Sequence, residues 1–201
     1  MTAPLGVILA GGLASRMGGG DKSLRPLAGR RVIDHVLERL RPQVTHMALN
    51  ANGDPARFAA FDLPVIADSM VEFPGPFAGI LAGMDWAAAE GAEHILTVAA
   101  DTPFFPADLQ VRLVAARDAA GLPIALAATP GPDKLYRHPT FGLWPVALRE
   151  DLRRALTGGL RKVVLWTDKH GCAEALFSVD PFDPFFNINR PEDLAQAEAM
   201  A

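Results

Sequence analysis

Short apolar runs alternate with amphipathic stretches along most of the chain, and each has the length typical of one secondary-structure element. The apolar runs predict strands at Leu5–Ala10, Val44–Asn50, Leu63–Ala67, His94–Ala100, Pro123–Ala128 and Thr140–Trp144. The amphipathic stretches predict helices at Arg31–Leu40, Pro55–Phe61, Phe77–Glu90, Pro106–Ala119 and Val146–Leu156. Strands that alternate with helices in this way indicate an α/β protein built from βα units around a parallel sheet.

The C-terminal part follows the pattern less closely. Ala175–Val179 predicts a short strand, and Pro191–Met200 predicts a closing helix with proline at its first position. Leu160–His170 is compatible with either element, because its β-branched valines favour a strand whereas the spacing of its apolar residues fits a short helix. The number and type of elements suit one domain over residues 1–201.

Composition narrows the class of protein. Half of the residues are hydrophobic and 21% are charged, which is typical of a globular protein and excludes a disordered one. A net charge of −4 gives no electrostatic case for a nucleic-acid partner. No apolar run approaches the roughly 20 residues that span a bilayer, and the start of the chain lacks secretory-signal features. We therefore expect a cytoplasmic protein without a membrane partner.

The chain contains one cysteine, Cys172, which excludes an intrachain disulfide and a cysteine-based metal site. The only neighbouring residue that could activate its thiol is His170, and no motif supports such a pair. We therefore expect Cys172 to be a structural residue, since free cysteines commonly behave as small buried hydrophobes.

Candidate chemistry follows the predicted strands at their carboxyl ends, which is where open α/β sheets bind ligands. A glycine-rich loop with Arg16 and Lys22 follows the first strand. Its glycines let backbone N–H groups approach a phosphate, and its two cations could neutralise a polyphosphate. The loop has neither the GxxxxGK[ST] nor the GxGxxG pattern, which argues against a dinucleotide-dependent oxidoreductase. Its alternative role is that of a solvated glycine turn.

The other predicted strand ends carry polar side chains that could either bind a ligand or have only a structural role. Asp101 ends an apolar strand, and it could bind magnesium together with phosphate oxygens, cap the next helix or pair with an arginine. Asn50 and Asp68 could hold a base or ribose, or they could only form turns.

Three polar residues of the C-terminal part are weaker candidates. His138 precedes Pro139 and could be either a ligand-binding or a structural histidine. Asn187 and Asn189 alternate along the chain, so they face the same side if that stretch is extended. They could instead be residues that only lead into the last helix.

Together these residues resemble the nucleotidyltransferases that carry a LAGGxSxRMGxxDK loop, and most closely the molybdenum cofactor guanylyltransferases. The loop match covers Leu9-Ala10-Gly11-Gly12, Ser15-Arg16-Met17-Gly18 and Asp21-Lys22. The later matches, in order, are Asn50-Ala51-Asn52, Asp68-Ser69, Pro74-Gly75-Pro76-Phe77-Ala78-Gly79, Asp101-Thr102-Pro103, His138-Pro139-Thr140 and Phe186-Asn187-Ile188-Asn189.

The resemblance implies a Rossmann-like three-layer sandwich with a mostly parallel central sheet, and an enzyme that joins GMP from GTP to molybdopterin. It implies a GTP-binding part over about 1–105 and a pterin-binding contribution from about 106–201. It also implies Mg²⁺ as cofactor, and transient contact with molybdenum-insertion proteins or molybdoenzymes is possible. The implied GTP-binding residues are Leu9, Ala10, Gly11, Gly12, Lys22, Asn50, Asp68 and Asp101, with the metal on Asp101. The implied catalytic residues are Arg16, Lys22 and Asp101, and the pterin side is assigned to His138, Asn187 and Asn189.

Two other functions remain compatible with the sequence. A cytidylyltransferase, or another enzyme that uses a nucleoside triphosphate on the same fold, would differ only in a few pocket contacts. A non-catalytic nucleotide-binding regulator or adaptor would keep the loop, although it has less need of the metal-binding acid at Asp101.

Overall fold

The computed structural model describes residues 3–11, 21–70 and 75–201. Strands β1 to β9 cover Leu5–Leu9, Pro26–Leu27, Arg30–Arg31, Met47–Asn50, Val65–Ile66, His94–Ala99, Ile124–Pro130, Leu135–Pro145 and Cys172–Leu176. Helices α1 to α6 cover Val32–Leu40, Pro76–Ala89, Leu109–Ala120, Arg149–Thr157, Val163–His170 and Pro191–Glu198. Short 3₁₀ helices cover Lys22–Leu24, Arg41–Gln43, Pro55–Phe61 and Val146–Leu148.

The central sheet has seven strands in the order β5-β4-β1-β6-β8-β7-β9, and β2 and β3 form a separate hairpin. β1 pairs in parallel with β4 and β6, β4 with β5, and β7 with β9. β8 is antiparallel to both of its neighbours. The prediction of a mostly parallel sheet is therefore confirmed, and the carboxyl ends of β1, β4, β5 and β6 lie at one edge.

Helices cover both faces of this sheet and complete three layers. The apolar faces of α1 and α3 pack on one side, where they share a core with Ile8 of β1. α2, α4 and α5 pack on the other side around Val7 and the fully buried Trp144. Alternate residues of β1 thus face opposite layers, as expected of a strand that is buried on both sides. α6 joins a smaller cluster with Leu27 and Ile188.

Several predicted elements differ from the observed ones near the C-terminus. The strand predicted at Thr140–Trp144 is longer in the structure and covers Leu135–Pro145. Its first part is polar and has no strand pattern, and it is extended because it pairs with β7. The strand predicted at Ala175–Val179 lies at Cys172–Leu176, where its parallel pairing with β7 sets the register. The ambiguous stretch Leu160–His170 contains helix α5, which covers Val163–His170 and buries Val163 and Trp166. No helix in the described ranges is long and apolar enough to cross a membrane.

Candidate active site

β1, the strand that precedes the glycine-rich loop, lies between β4 and β6 in the sheet. The N–H of Ala10 donates to the carbonyl of Asn50 at 2.8 Å, and the N–H of Ala100 donates to the carbonyl of Leu9 at 3.1 Å. These bonds extend the strand pairing to the end of β1. The backbone of Leu9 and Ala10 is therefore fixed at the edge of the sheet, and the exposed Gly11 follows directly. Two further predicted residues, Gly12 and Arg16, lie outside the described residues.

Asn50, Asn52 and Asp68 form one hydrogen-bonded cluster next to Gly11. The amide nitrogen of Asn50 donates to Asp68 Oδ1 at 2.9 Å, and that of Asn52 donates to Asp68 Oδ2 at 2.7 Å. Asn52 Oδ1 also accepts the backbone N–H of Asp68 at 2.9 Å. Both carboxylate oxygens of Asp68 are therefore oriented by amide donors. The predicted proximity of Asn50 and Asp68 is confirmed, and their role towards a nucleoside stays a prediction.

A glycine on α2 makes room for this cluster. Asn50 is 2% exposed, and its carboxamide lies against Gly79 in the first turns of α2. A Cβ atom at Gly79 would stand 2.1 Å from Asn50 Oδ1 and 3.0 Å from a methyl carbon of Leu9. Such a distance is far shorter than any van der Waals contact, so this close approach of helix and sheet requires glycine.

A hydrogen bond and two ion pairs connect the residue after Asp68 to helices α2 and α4. Ser69, which follows Asp68, donates from its hydroxyl to Asp85 Oδ2 at 2.7 Å. Asp85 lies on α2 and also accepts from Arg153 of α4 at 2.5 Å, with Arg149 at 3.6 Å. The segment after β5 is thereby connected to two helices of the neighbouring layer.

Lys22 and Asp101, the predicted catalytic pair, lie on the same side of the molecule. Burial raises the pKa of the Asp101 carboxyl, and the positive charge of Lys22 partly offsets that rise. Lys22 is therefore close enough to act on the charge of Asp101.

A C-terminal segment touches both members of this pair. Lys22 Nζ donates to Asn189 Oδ1 at 2.8 Å, and the N–H of Ile188 donates to the carbonyl of Asp101 at 2.9 Å. Asp193, in the first turn of α6, accepts the backbone N–H groups of Asn189 and Arg190, each at 2.8 Å. Asp193 therefore fixes the backbone that presents Asn189 to Lys22.

Asp101 is the described acid best suited to a divalent cation. Its carboxyl is buried, and burial disfavours the charged form, a cost that a dication would offset. Among the described residues no cluster of three or more His, Cys, Asp or Glu side chains forms a metal site. One carboxylate suits a metal such as Mg²⁺, which keeps waters and shares phosphate oxygens of its substrate, rather than one held wholly by protein.

His138 lies deeper in the C-terminal part. Its Nε2 is 2.9 Å from the hydroxyl of Thr129, and its ring stacks on Phe185 with centroids 4.3 Å apart. Burial lowers the pKa of His138, which favours the neutral imidazole. Asn187 and Asn189 are both exposed, and Asn189 accepts a hydrogen bond from Lys22. Their assignment to the pterin side stays a prediction.

Sequence reasoning missed Arg57 altogether. Its guanidinium contacts both the end of the glycine loop and the Asn52 backbone. The residue lies in a short helix without any motif, and it is one of many arginines in the chain. No local pattern distinguishes it, because Asp21 is distant in sequence and the contact with Asn52 is made to a backbone carbonyl, which any residue type provides.

A mostly parallel sheet whose first strand leads into a glycine-rich loop, with Lys22 and Asp101 on the same side, is typical of α/β proteins that bind a ligand at the carboxyl ends of their strands. The sequence profile of the MobA-like NTP transferase domain matches residues 6–171. The chain therefore belongs to the MobA-like NTP transferase family.

Relatives of known name match over nearly the whole chain. A molybdenum cofactor guanylyltransferase of Bradyrhizobium sp. (strain ORS 278) is 53% identical over 203 residues, which cover 100% of this chain and 94% of the relative. One of Rhodopseudomonas palustris (strain BisB5) is 55% identical over 198 residues, which cover 97% and 92%. The protein is thus a nucleotidyltransferase by family.

Solved structures show the same fold at lower identity. Molybdopterin-guanine dinucleotide biosynthesis protein A from Archaeoglobus fulgidus superposes with a TM-score of 0.71 at 24% identity, covering 98% of this chain and 97% of that one. A CMP:2-keto-3-deoxy-manno-octonic acid synthetase in complex with CTP gives a TM-score of 0.73 at 14% identity, covering 100% and 98%. These similarities confirm the three-layer α/β fold, and at such identity they carry the fold alone.

Proposed function

We propose that this protein transfers GMP from GTP to the terminal phosphate of molybdopterin, releases pyrophosphate and so makes the guanine dinucleotide form of the molybdenum cofactor. The observation that carries the proposal is the identity of about half of all residues, over almost the full length, with relatives named for this activity. The convergence of Lys22, Asp101 and the Asn50–Asp68 cluster at one sheet edge supports it independently.

In the proposed reaction a terminal phosphate oxygen of molybdopterin attacks the α-phosphorus of GTP in line with the bond that breaks. A new P–O bond joins GMP to the pterin, the bond between the α-phosphorus and its bridging oxygen breaks, and pyrophosphate leaves with that oxygen. The nucleophile is already an anion, so the step needs no general base. The remaining tasks are to position two anions and to stabilise developing charge, which are the usual sources of rate in phosphoryl-group chemistry.

Each named residue then has a part in those tasks. Lys22 offsets the charge of the β- and γ-phosphates, assisted by Arg16 of the loop. The backbone of Leu9, Ala10 and Gly11, continued by Gly12, receives the triphosphate, while Asn50 and Asp68 hold the nucleoside. Asp101 would hold Mg²⁺, which when bound neutralises phosphate charge and orients the phosphate oxygens.

His138, Asn187 and Asn189 are assigned to the pterin side. The stacking of His138 on Phe185 connects it to the same C-terminal segment that reaches Lys22, which supports one continuous site for both substrates. Transient contact with molybdenum-insertion proteins or molybdoenzymes stays a prediction. We assign this contact to the C-terminal part, where Leu165 of α5 is an exposed apolar side chain.

The test is pyrophosphate release by the purified protein with GTP, Mg²⁺ and molybdopterin, with CTP in place of GTP as the parallel reaction. The proposal expects release with GTP that depends on molybdopterin and little release with CTP. Preference for CTP would identify a cytidylyltransferase instead. GTP binding in calorimetry without any pyrophosphate release would identify a non-catalytic nucleotide-binding protein.

A further inference from the structure

Arg57 connects two parts of the site that are far apart in sequence. Its Nε lies 2.7 Å from Asp21 Oδ2, and its Nη2 donates to the carbonyl of Asn52 at 2.6 Å. Asp21 directly precedes Lys22 at the end of the glycine loop, whereas the side chain of Asn52 holds Asp68. One guanidinium therefore contacts both the predicted phosphate side and the predicted nucleoside side.

Local structure holds this guanidinium in place. Gly53 has a φ of +84°, a left-handed conformation that turns the chain sharply after Asn52 and that favours glycine. Asp54 caps the 3₁₀ helix Pro55–Phe61 by accepting the N–H of Ala56 at 2.9 Å. The guanidinium carbon also lies 4.9 Å from the ring centroid of Phe58. The turn, the cap and the ring contact together orient the Arg57 side chain towards the N-terminal end of its 3₁₀ helix, where it meets Asp21.

Charge gives the contact a second consequence. Asp21 carries a negative charge next to Lys22, where the proposed function places a triphosphate, and like charges at that distance repel. The side chains of Arg57 and Asp21 are 30% and 18% exposed, so solvent screens this pair less than it screens a surface ion pair. Arg57 can therefore offset the charge of Asp21 while it fixes the position of the loop end.

We propose that Arg57 is a positioning residue for the nucleotide: it holds the Asp21–Lys22 end of the loop against the Asn52–Asp68 side and neutralises Asp21. This inference rests on the proposed function for the identity of the nucleotide. It predicts a specific pattern of affinities, because the charge of Asp21 is harmful only when Arg57 is absent.

The test is calorimetric titration of GTP and of GMP, with Mg²⁺, into the wild type, Arg57→Ala, Asp21→Asn and the double variant. We expect Arg57→Ala to weaken GTP binding about tenfold, the equivalent of one lost charge partner. GMP, which lacks the β- and γ-phosphates, should lose much less affinity. Asp21→Asn in the Arg57→Ala background should restore GTP affinity to within about threefold of Asp21→Asn alone, a coupling that contacting residues show in a double-mutant cycle.

Arg30→Ala is the matched control. Arg30 also contacts one carboxylate and one carbonyl, donating to Glu38 at 2.6 Å and to the carbonyl of Asp34 at 3.3 Å, but these partners lie on α1. It should leave GTP affinity unchanged. Arg57→Lys keeps the charge without the planar fork and should give an intermediate loss, and Arg57→Gln replaces Arg57→Ala if the alanine variant does not fold.

Equal losses of GTP and GMP affinity, or no recovery in the double variant, would show a merely structural role and overturn the inference. If the wild type binds CTP rather than GTP, the proposed substrate fails, whereas the same comparison made with CTP and CMP still decides the role of Arg57. If the wild type binds no nucleoside triphosphate, both the inference and the proposed function are wrong.

Discussion

At the scale of single residues, the charge of Asp101 that the proposed function needs lowers the stability of the fold. Its buried carboxyl has a raised pKa, which means that the folded protein disfavours the charged form relative to the unfolded chain. At neutral pH the ionised carboxylate therefore destabilises the fold unless a cation is bound. An ionisable residue whose charged form does not serve stability is a candidate for a functional role.

Replacing this acid with its neutral isostere tests both aspects. We expect Asp101→Asn to lower turnover by roughly 10²-fold or more, as expected when a strong electrostatic stabiliser is lost. The same variant should melt about 2 °C or more above the wild type at pH 7 in chelator, because the desolvated charge is gone. Lys22→Ala should lower turnover similarly, without that gain in melting temperature. Wild-type turnover in both folded variants would contradict the proposed roles.

Cys172 offers a second prediction at this scale. Burial raises the pKa of its thiol to about 11, so almost no thiolate is present at neutral pH. We expect slow reaction with a disulfide reagent at pH 7.5 in the native protein, and fast reaction of one thiol per chain in guanidinium. Rapid modification of the native protein, with loss of turnover, would contradict a structural role.

At the scale of elements, the spacing between α2 and the sheet determines the position of Asn50. Gly79 faces the Asn50 carboxamide, whereas Gly83, one turn later, faces the apolar side chains of Val7 and Ile95. A Cβ at Gly83 would stand 2.8 Å from Val7, so both positions resist a larger residue. Only the first of them adjoins the candidate site.

This pair of glycines gives a prediction with its own control. We expect both Gly79→Ala and Gly83→Ala to lose about 1–3 kcal/mol of unfolding free energy through overpacking. GTP affinity, measured by calorimetry, should fall about tenfold in Gly79→Ala alone, because only that methyl group displaces Asn50. Equal GTP affinities in the two variants would mean that Asn50 does not contact the nucleotide.

The βα units of the N-terminal half could be predicted from sequence because each unit carries its own apolar period, whereas the hairpin of β2 and β3 could not, because each of these strands has only 2 residues. Only the second part of β8 could be predicted, because Arg137 and His138 interrupt the pattern of its first part, whose strand conformation comes from pairing with β7. Lys22, Asn50, Asp68 and Asp101 were predictable as a group, since each follows a strand at the same edge. Arg57 and the contact of Asn189 with Lys22 were not, because they depend on tertiary proximity alone.

At the scale of the whole molecule, the C-terminal segment joins the two halves of the proposed site. It bonds to Asp101 through Ile188 and to Lys22 through Asn189, and Ile188 is buried in the cluster that also holds α6. The division into a GTP-binding part and a pterin-binding part stays a prediction, and so do the catalytic roles; the contacts show that the segment around Ile188 and Asn189 reaches both Lys22 and Asp101.

A charge placed on this segment tests that contact. We expect Asn189→Asp to weaken GTP binding about tenfold at low salt, since a carboxylate there competes for Lys22 and repels the triphosphate. The loss should shrink as ionic strength rises. Asn187→Asp, an equal change of charge two residues away, should have a clearly smaller effect in the same titration. Equal effects of the two variants would show that Asn189 has no special relation to Lys22.

The most direct test of the account is to follow the phosphates of GTP through the reaction. GTP labelled at the α-phosphate is incubated with the protein, Mg²⁺ and molybdopterin, and GTP labelled at the γ-phosphate is incubated in parallel. On this account, we expect the α-label to enter the pterin product and the γ-label to leave in pyrophosphate, and we expect both to slow by roughly 10²-fold or more in Asp101→Asn. Transfer of the γ-label to the pterin, or an α-label that remains in free guanine nucleotide, would contradict it.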